Sequence, residues 1–361
     1  MPIPKKNQLV GIDIGSHSIK IIEIEDTNKG MILKNFGMIG LPQNAIVEGS
    51  IKEMEIVSAA LRNLFKNLRI KNRNVVTSIS GYSVIVKKIT IPQKEEEDLE
   101  ASIQSEAEQY IPFDINDVNL DFQILPSEEG EAETEEEEEK EELMDVLLVA
   151  AKKDIVEEYV SLFHLTELNP VVLDIDAFAL QNVFEISDHE QSGCHALVHI
   201  GAQQLTINVI RDGHSIFTRD SSYGGSQITS EIQNKLNISY EEAEGLKLGA
   251  KPIETSQRPI FEEMFSSTVT KWAQEVKRAL DFVATTFAEA RVDNILVSGG
   301  SSLIPGFIKY LGVETGVEIE MLNPFANLEI REKFFDTGYL NYAAPMAVIS
   351  VGLALRSIGD R

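Results

Sequence analysis

The residues with the types and spacing to do chemistry begin at "DIGSHSIK", positions 13 to 20. Asp13 ends an apolar run, and Gly15, Ser16, His17 and Ser18 then turn the chain ahead of Lys20. A glycine turn lets backbone N–H groups approach phosphate oxygens, small hydroxyls add hydrogen bonds, and the lysine adds charge. Asp13 cannot touch phosphate favourably, but it can hold a hydrated divalent metal that bridges phosphate oxygens. A plain β-hairpin capped by Asp13 fits the same eight residues.

The layout returns in "HIGAQQLT", where His199 occupies the aspartate position and Gly201, Ala202 and Gln203 make the turn. A third turn, "SGGSSLIPG" from Ser298, carries Gly299, Gly300 and Ser301. In "AEGLK", Glu244 and Lys247 are three apart and share one helix face. Alone, that pair reads as a surface ion pair.

The elements that must position these turns follow from periodicity. Leu9–Ile14, Ser18–Glu25 and Met31–Gly40 read as strands, the segment Ile51–Leu68 has helical spacing, and Val75–Ile79 is a short strand ended by Gly81. A different unit starts near Val84. It comprises "VIVKKITIP", a helix from Glu95 to Tyr110, "VNLDFQILP", an acidic run, "LMDVLLVAA", and a helix from Asp154 to Leu168. "VVLDIDAFALQNVFE" returns to strand and helix, and His195 to Gly213 repeats the N-terminal strand–turn–strand layout. A mostly helical section, Ser226–Glu289, precedes "NILVSGGSSLIPGFIKYL", a strand and a helix with Pro305 in its first turns. The apolar stretch Ala343–Leu355 reads as a buried helix started by Pro345. The pattern predicts an α/β protein of two similar halves with a smaller unit inserted in the first. Ligands of open α/β sheets sit at carboxyl ends of strands, and all three glycine turns lie at such ends.

Composition narrows the function. A length of 361 residues calls for more than one folded unit, and a lone cysteine, Cys194, suits a reducing compartment. Met1–Gln8 is too polar for a signal peptide, and no apolar stretch reaches the roughly 20 residues of a bilayer span. A cytoplasmic chain without membrane insertion is expected. The net charge of −26 argues against nucleic acid. Residues 128–142 hold eleven Glu and one Lys, −10 in all, and read as a solvated, disordered loop; an electrostatic docking tail is the alternative.

The three turns come in the order and spacing of the first phosphate, second phosphate and adenosine loops of the actin–heat-shock-protein–sugar kinase superfamily, and "AEGLK" resembles the helix whose Glu and Lys flank the adenosine. "GYSVIVKKITIP", "EAEQYIPFDINDVNLDFQIL", "LNPVVLDIDAFAL" and "AAPMAVISVGLALR" closely resemble the PilM family, actin-like proteins of type IV pilus assembly related to FtsA. The resemblance implies an actin-like ATPase fold of duplicated ribonuclease H-like halves with an FtsA/PilM-type insertion. It implies subdomain IA over 1–83 and 169–192, inserted subdomain IC over 84–168 with an acidic loop at 127–142, subdomain IIA over 193–226 and 288–344, subdomain IIB over 227–287, and a C-terminal helix over 345–361 packed on IA.

By the same resemblance the chain binds ATP with magnesium between two lobes. Asp13, Gly15, Ser16, His17, Ser18 and Lys20 would face Gly201, Ala202, Gln203, Gly299, Gly300 and Ser301, with Glu244 and Lys247 by the adenosine. A groove between IA and IC would hold the cytoplasmic N-terminal tail of PilN, with Tyr110, Ile111, Pro112 and Phe113 as candidates to shape it or to serve as core. Other pilus platform and motor components would be partners, and the protein would be peripheral to the inner membrane through them. FtsA ends in an amphipathic membrane helix; "LRSIGDR" at this C-terminus shows no such pattern.

One departure stands out. Where the superfamily has a second metal-site Asp, this chain has His199, and a neutral imidazole supplies no charge to a metal's outer shell. Slow or absent ATP hydrolysis is therefore expected. Gln203 and Gln204 are expected to line their turn or face solvent, and Asp174 and Asp176 lie near the water-activating position without either being singled out. An adaptor that binds nucleotide is the leading reading. A slow ATPase or phosphotransferase, a filament former, an FtsA-like protein or a type II secretion counterpart are the alternatives.

Overall fold

Runs of apolar residues fold the first forty positions into a meander of β1 (Val10–Ile14), β2 (Ser18–Thr27) and β3 (Gly30–Gly40). The computed structural model describes residues 8–125, 143–255, 257–287 and 290–359. The acidic run 128–142, and the disorder expected for it, lie outside the described residues.

A two-residue hairpin of β4 (Ile46–Val47) and β5 (Ser50–Ile51) follows. Pairing of Ile51 with Ile46 keeps it out of the next helix, so α1 spans Met54–Leu68 and not the whole periodic segment. Val57, Leu61, Leu64 and Phe65 form its buried face at helical spacing. β6 (Asn74–Ile79) leads through a 3-10 turn, Gly81–Ser83, into the inserted unit. That unit contains β7 (Val84–Pro92), α2 (Glu96–Ala107), β8 (Val118–Ile124) and β9 (Leu143–Lys152). α3 (Lys153–Leu165) carries the chain back, and β10 (Asn169–Ile175) runs into α4 (Asp176–Glu185).

The second half repeats the plan. β11 (Cys194–Ile200), β12 (Leu205–Arg211) and β13 (His214–Ser221) form a meander. α5 (Gly225–Leu236), α6 (Tyr240–Lys247) and the long α7 (Arg258–Thr286) follow. β14 (Asn294–Ser298), α8 (Phe307–Thr315), β15 (Glu318–Met321), β16 (Leu328–Glu329) and α9 (Thr337–Ala354) complete the chain.

The sheets run β3-β2-β1-β6-β10 and β13-β12-β11-β14-β15, with β16 added beside β3. In each, a three-strand antiparallel meander is extended by two strands parallel to its first. The inserted unit has its own sheet, β7-β9-β8, in which β8 is an edge strand.

Between the two large sheets lie α4 and α9, sharing one core in which Ala179, Leu180, Ala347 and Val348 meet Val76 of the first sheet and Leu197 and Leu296 of the second. The approach is close: a Cβ on Gly352 of α9 would lie 1.9 Å from the Ala179 carbonyl oxygen of α4. A second core around Trp272 lies on the outer face of the second sheet, a third under α1 and α3, and a small fourth inside the inserted unit.

Two prolines sit differently from expectation. Pro345 lies inside α9, whose start is fixed by Asp336 accepting the Tyr339 N–H at 3.0 Å. Proline lacks the N–H of a helix interior, yet neighbouring packing holds α9 intact, with Pro345 itself buried. Pro305 precedes α8, which begins after Gly306 in a left-handed conformation.

Candidate functional site

A cleft of about 360 Å³ opens between the two lobes at the carboxyl ends of their strands. The turn between β1 and β2 brings Asp13, Gly15, Ser16, His17, Ser18 and Lys20 to its wall, and the turn between β11 and β12 brings Gly201, Ala202 and Gln203 opposite. Gly300 and Ser301 follow β14, while Glu244 and Lys247 project from α6. Four separate stretches of sequence thus converge on one space. Gly299 does not line it. It stands behind the turn with φ +90°, where a Cβ would lie 2.3 Å from the Ile200 carbonyl oxygen, so only glycine lets β14 pass β11 this closely.

Charge in the cleft is arranged in pairs. Asp13 and Lys20 are direct partners in the β1–β2 register, and their side chains form an ion pair at 3.1 Å. Lys247 meets Glu244 at 2.7 Å, and Thr229 donates to the same carboxylate at 2.6 Å. Burial pushes the Lys247 ammonium down while Glu244 opposes that shift. The pair expected on a surface face is therefore a largely buried part of the cleft wall.

His199 lines the same cleft, with Nδ1 3.0 Å from the Ser298 hydroxyl. Burial, with Lys20 adding to it, pushes its imidazole down to about 3, so the ring is neutral at physiological pH. It adds no negative charge opposite Asp13. Among the described residues no group of three or more His, Cys, Asp or Glu is placed to hold a metal directly.

The structure separates the two aspartates that sequence left equivalent. Asp176, at the start of α4, lines the cleft and accepts the Ser78 hydroxyl at 2.5 Å. Burial, then the charge of Asp13, raises its carboxyl to about 7 against the hydrogen bonds from Ser78 and Ser80. Asp174 points elsewhere.

Gln203 and Gln204 depart from expectation, because both reach across to the other lobe. Gln203 accepts the Glu48 N–H at 3.1 Å, and Gln204 accepts the Ser80 hydroxyl at 3.3 Å. Sequence reasoning also missed Asp220 of β13, which accepts the Gly81 N–H at 2.7 Å and the Thr206 hydroxyl at 2.6 Å. Tyr159 of α3, Tyr342 and Met346 of α9 line the cleft as well, and no local signal marks them.

A second concavity, about 820 Å³, runs between the inserted unit and the first lobe. β8 and β9 supply Leu120, Phe122, Leu147 and Val149, and β10 and α4 supply Asp174 and Phe178. The candidates Tyr110, Ile111, Pro112 and Phe113 do not line it. Ile111 is buried in the inserted unit's own core, and Tyr110 and Phe113 pack against that core with the Lys87 and Lys152 ammonium groups over their rings at 5.2 and 4.5 Å. Pro112 and Phe113 border a different, smaller pocket beside Gly81 and Arg219. Ile111 packs with Leu99, Ile103 and Ala107 of α2 in that core, while Pro112 stays exposed beside the smaller pocket.

Comparison with known proteins agrees with this architecture. The family described as "Type IV pilus assembly protein PilM" matches residues 11–358. The cell division protein FtsA of Bacillus subtilis is 23% identical, over 95% of this chain and 82% of its own length. Among solved structures, the PilM-PilN type IV pilus biogenesis complex superposes with a TM-score of 0.85 at 25% identity, covering 98% of this chain and 100% of the matched one. MreB 5 of Spiroplasma citri bound to AMPPNP matches with a TM-score of 0.54 at 11% identity, over 97% and 95% of the two chains, a likeness of fold. The fold is thus actin-like.

Proposed function

The chain belongs to the type IV pilus assembly protein PilM family, and we propose that it is an actin-like adaptor that binds ATP in the interlobe cleft and the N-terminal tail of PilN in the groove beside the inserted unit. The observation that carries this reading is the full-length likeness to the chain of the PilM-PilN complex.

The cleft's residues fit a nucleotide. The turns at Gly15–Ser18 and Gly201–Gln203 present backbone N–H groups and hydroxyls from both lobes, a cradle suited to phosphates. Lys20 supplies the cation, and in releasing Asp13 to a phosphate-bound ligand it would exchange one ion pair for another. Glu244, held by Lys247 and Thr229, offers acceptors for hydroxyls of the ribose. Magnesium, when bound, would neutralise phosphate charge; Asp13 would hold it through water, with His199 contributing no charge.

The groove fits an extended tail. Its apolar walls give side chains a place to bury, and β8, which among the described residues pairs on one side only, offers an edge to an extended segment. Among the described residues no helix is long and apolar enough to cross a membrane, which suits attachment to the inner membrane through such a tail.

A slow ATPase is the second reading, and Asp176 favours it. A carboxyl raised to about 7 beside a phosphate cradle has the proton affinity of a general base. The test is purification of the chain with calorimetric titration of ATP and of a PilN N-terminal peptide. Binding of both with turnover far below the ~10 per second typical of enzymes supports the adaptor. Measurable turnover that Asp176→Asn abolishes supports the second reading, and absence of peptide binding removes the adaptor role.

A further inference from the structure

Asp174 and Asp176 lie two residues apart and serve different cavities. Asp176 faces the cleft, whereas Asp174 lines the groove. Asp174 is only 6% exposed. Its Oδ1 accepts the N–H of Ile175 at 2.7 Å. Its Oδ2 has no hydrogen-bond partner among the described residues, although the Arg356 Nε stands 3.4 Å away as an ion-pair partner. Burial drives this carboxyl above the usual range, and Arg356 opposes the shift. A carboxyl oxygen withdrawn from water without a hydrogen bond is costly, and a ligand that donates to it recovers that cost.

We propose that Asp174 selects a basic side chain, arginine or lysine, in the peptide that docks in this groove. The inference rests on the reading of the groove as the site of the partner's tail. The other ionisable groups lining the groove are Asp121, Glu185, Arg356 and His214. Asp121 and Glu185 sit exposed on its rim, so with Asp174 three carboxylates outnumber the one guanidinium. That balance attracts a cation and resists an acidic segment. Leu120, Leu147 and Phe178 beside Asp174 take the apolar neighbours of that residue. The occupant is therefore an extended peptide with apolar side chains flanking one basic one.

The test titrates the full chain with a synthetic peptide copying the N-terminus of its cognate PilN, then with peptides in which each Lys or Arg is replaced singly by Met. One replacement should weaken binding by about tenfold or more, the worth of a charge-assisted hydrogen bond. Asp174→Asn should weaken the parent peptide by a similar factor, and the two changes together should cost no more than either alone. The peptide series uses the unaltered chain, so it does not depend on how well the variant folds. Equal affinity for every Met peptide, or full affinity in Asp174→Asn, overturns the inference and leaves the groove's role standing. A parent peptide that does not bind the wild-type chain overturns the role of the groove and this inference with it.

Discussion

Asp220, on the third strand of the second sheet, accepts the N–H of Gly81, the residue that leads from the first sheet into the inserted unit, at 2.7 Å. This bond ties one lobe to the root of the insertion carried by the other. The Gln203–Glu48 and Gln204–Ser80 bonds lie on the same interlobe boundary. A displacement of the second lobe relative to the first would therefore act directly on Gly81.

Asp220→Ala should lower stability by about 2 kcal/mol, the range for a hydrogen bond to a charged group. It should also raise amide exchange in the Gly81–Ser83 turn. Urea denaturation and hydrogen exchange by mass spectrometry measure the two. Unchanged exchange at Gly81 would show that the bond does not restrain the turn.

The two glycines after β14 should respond differently to alanine. Gly299→Ala places a Cβ 2.3 Å from a backbone oxygen in a left-handed conformation, and should cost more than ~3 kcal/mol or abolish folding. Gly300→Ala meets only the Met346 side chain, at an ordinary 3.4 Å, and should change stability by less than ~1 kcal/mol. Because Gly300 lines the cleft, Gly300→Val should instead weaken ATP binding, read by calorimetry.

His199 should make stability pH-dependent. Burial holds its folded pKa at about 3, below the 6.5 of an exposed imidazole. Above pH 6.5 it is neutral in both states and its stabilising contribution is complete. As pH falls from 6.5 toward 3 the unfolded chain takes up a proton that the folded chain refuses, so stability drops by up to ~1.4 kcal/mol per pH unit. His199→Asn should flatten the decline of Tm between pH 7 and pH 5. An identical slope in both proteins would refute a neutral buried imidazole.

Lys20→Met should lower ATP affinity about tenfold or more, by removing a charge-assisted contact to phosphate. Asp13→Asn should leave ATP binding less dependent on magnesium, because Asp13 is the carboxylate this reading gives to the hydrated metal. Titrations with and without EDTA compare the two. Full magnesium dependence in Asp13→Asn would place the metal elsewhere.

Much of the fold was legible in sequence because it is written in local spacing. Apolar runs mark the strands of the two meanders, helical periodicity marks α1, and glycine turns mark the strand ends at Gly15, Gly201 and Gly299. Those signals act between neighbours in the chain, so they survive without tertiary information. The PilM-like segments identified the family by the same route. Helix starts were less legible: Met54 begins α1 because Ile51 pairs with Ile46, and Asp336, not Pro345, caps α9.

Sequence by itself determined that this chain is two similar α/β halves with an insertion, carrying three glycine turns at strand ends in the order of an actin-like nucleotide site. Only the tertiary structure decided which side chains those turns meet. Apolar patterning cannot say that Asp176, at the start of α4, falls in the cleft and Asp174, on β10, in the groove, since that depends on which neighbour covers the strand's end. Nor can it say that Gln203, Gln204 and Asp220 span the lobes, or that Ile111 joins the inserted unit's own core while Pro112 beside it stays exposed. Periodicity reports that a face is covered, while the identity of what covers it is set by contacts between residues far apart in the chain, such as Asp220 with Gly81 and Asp176 with Ser78.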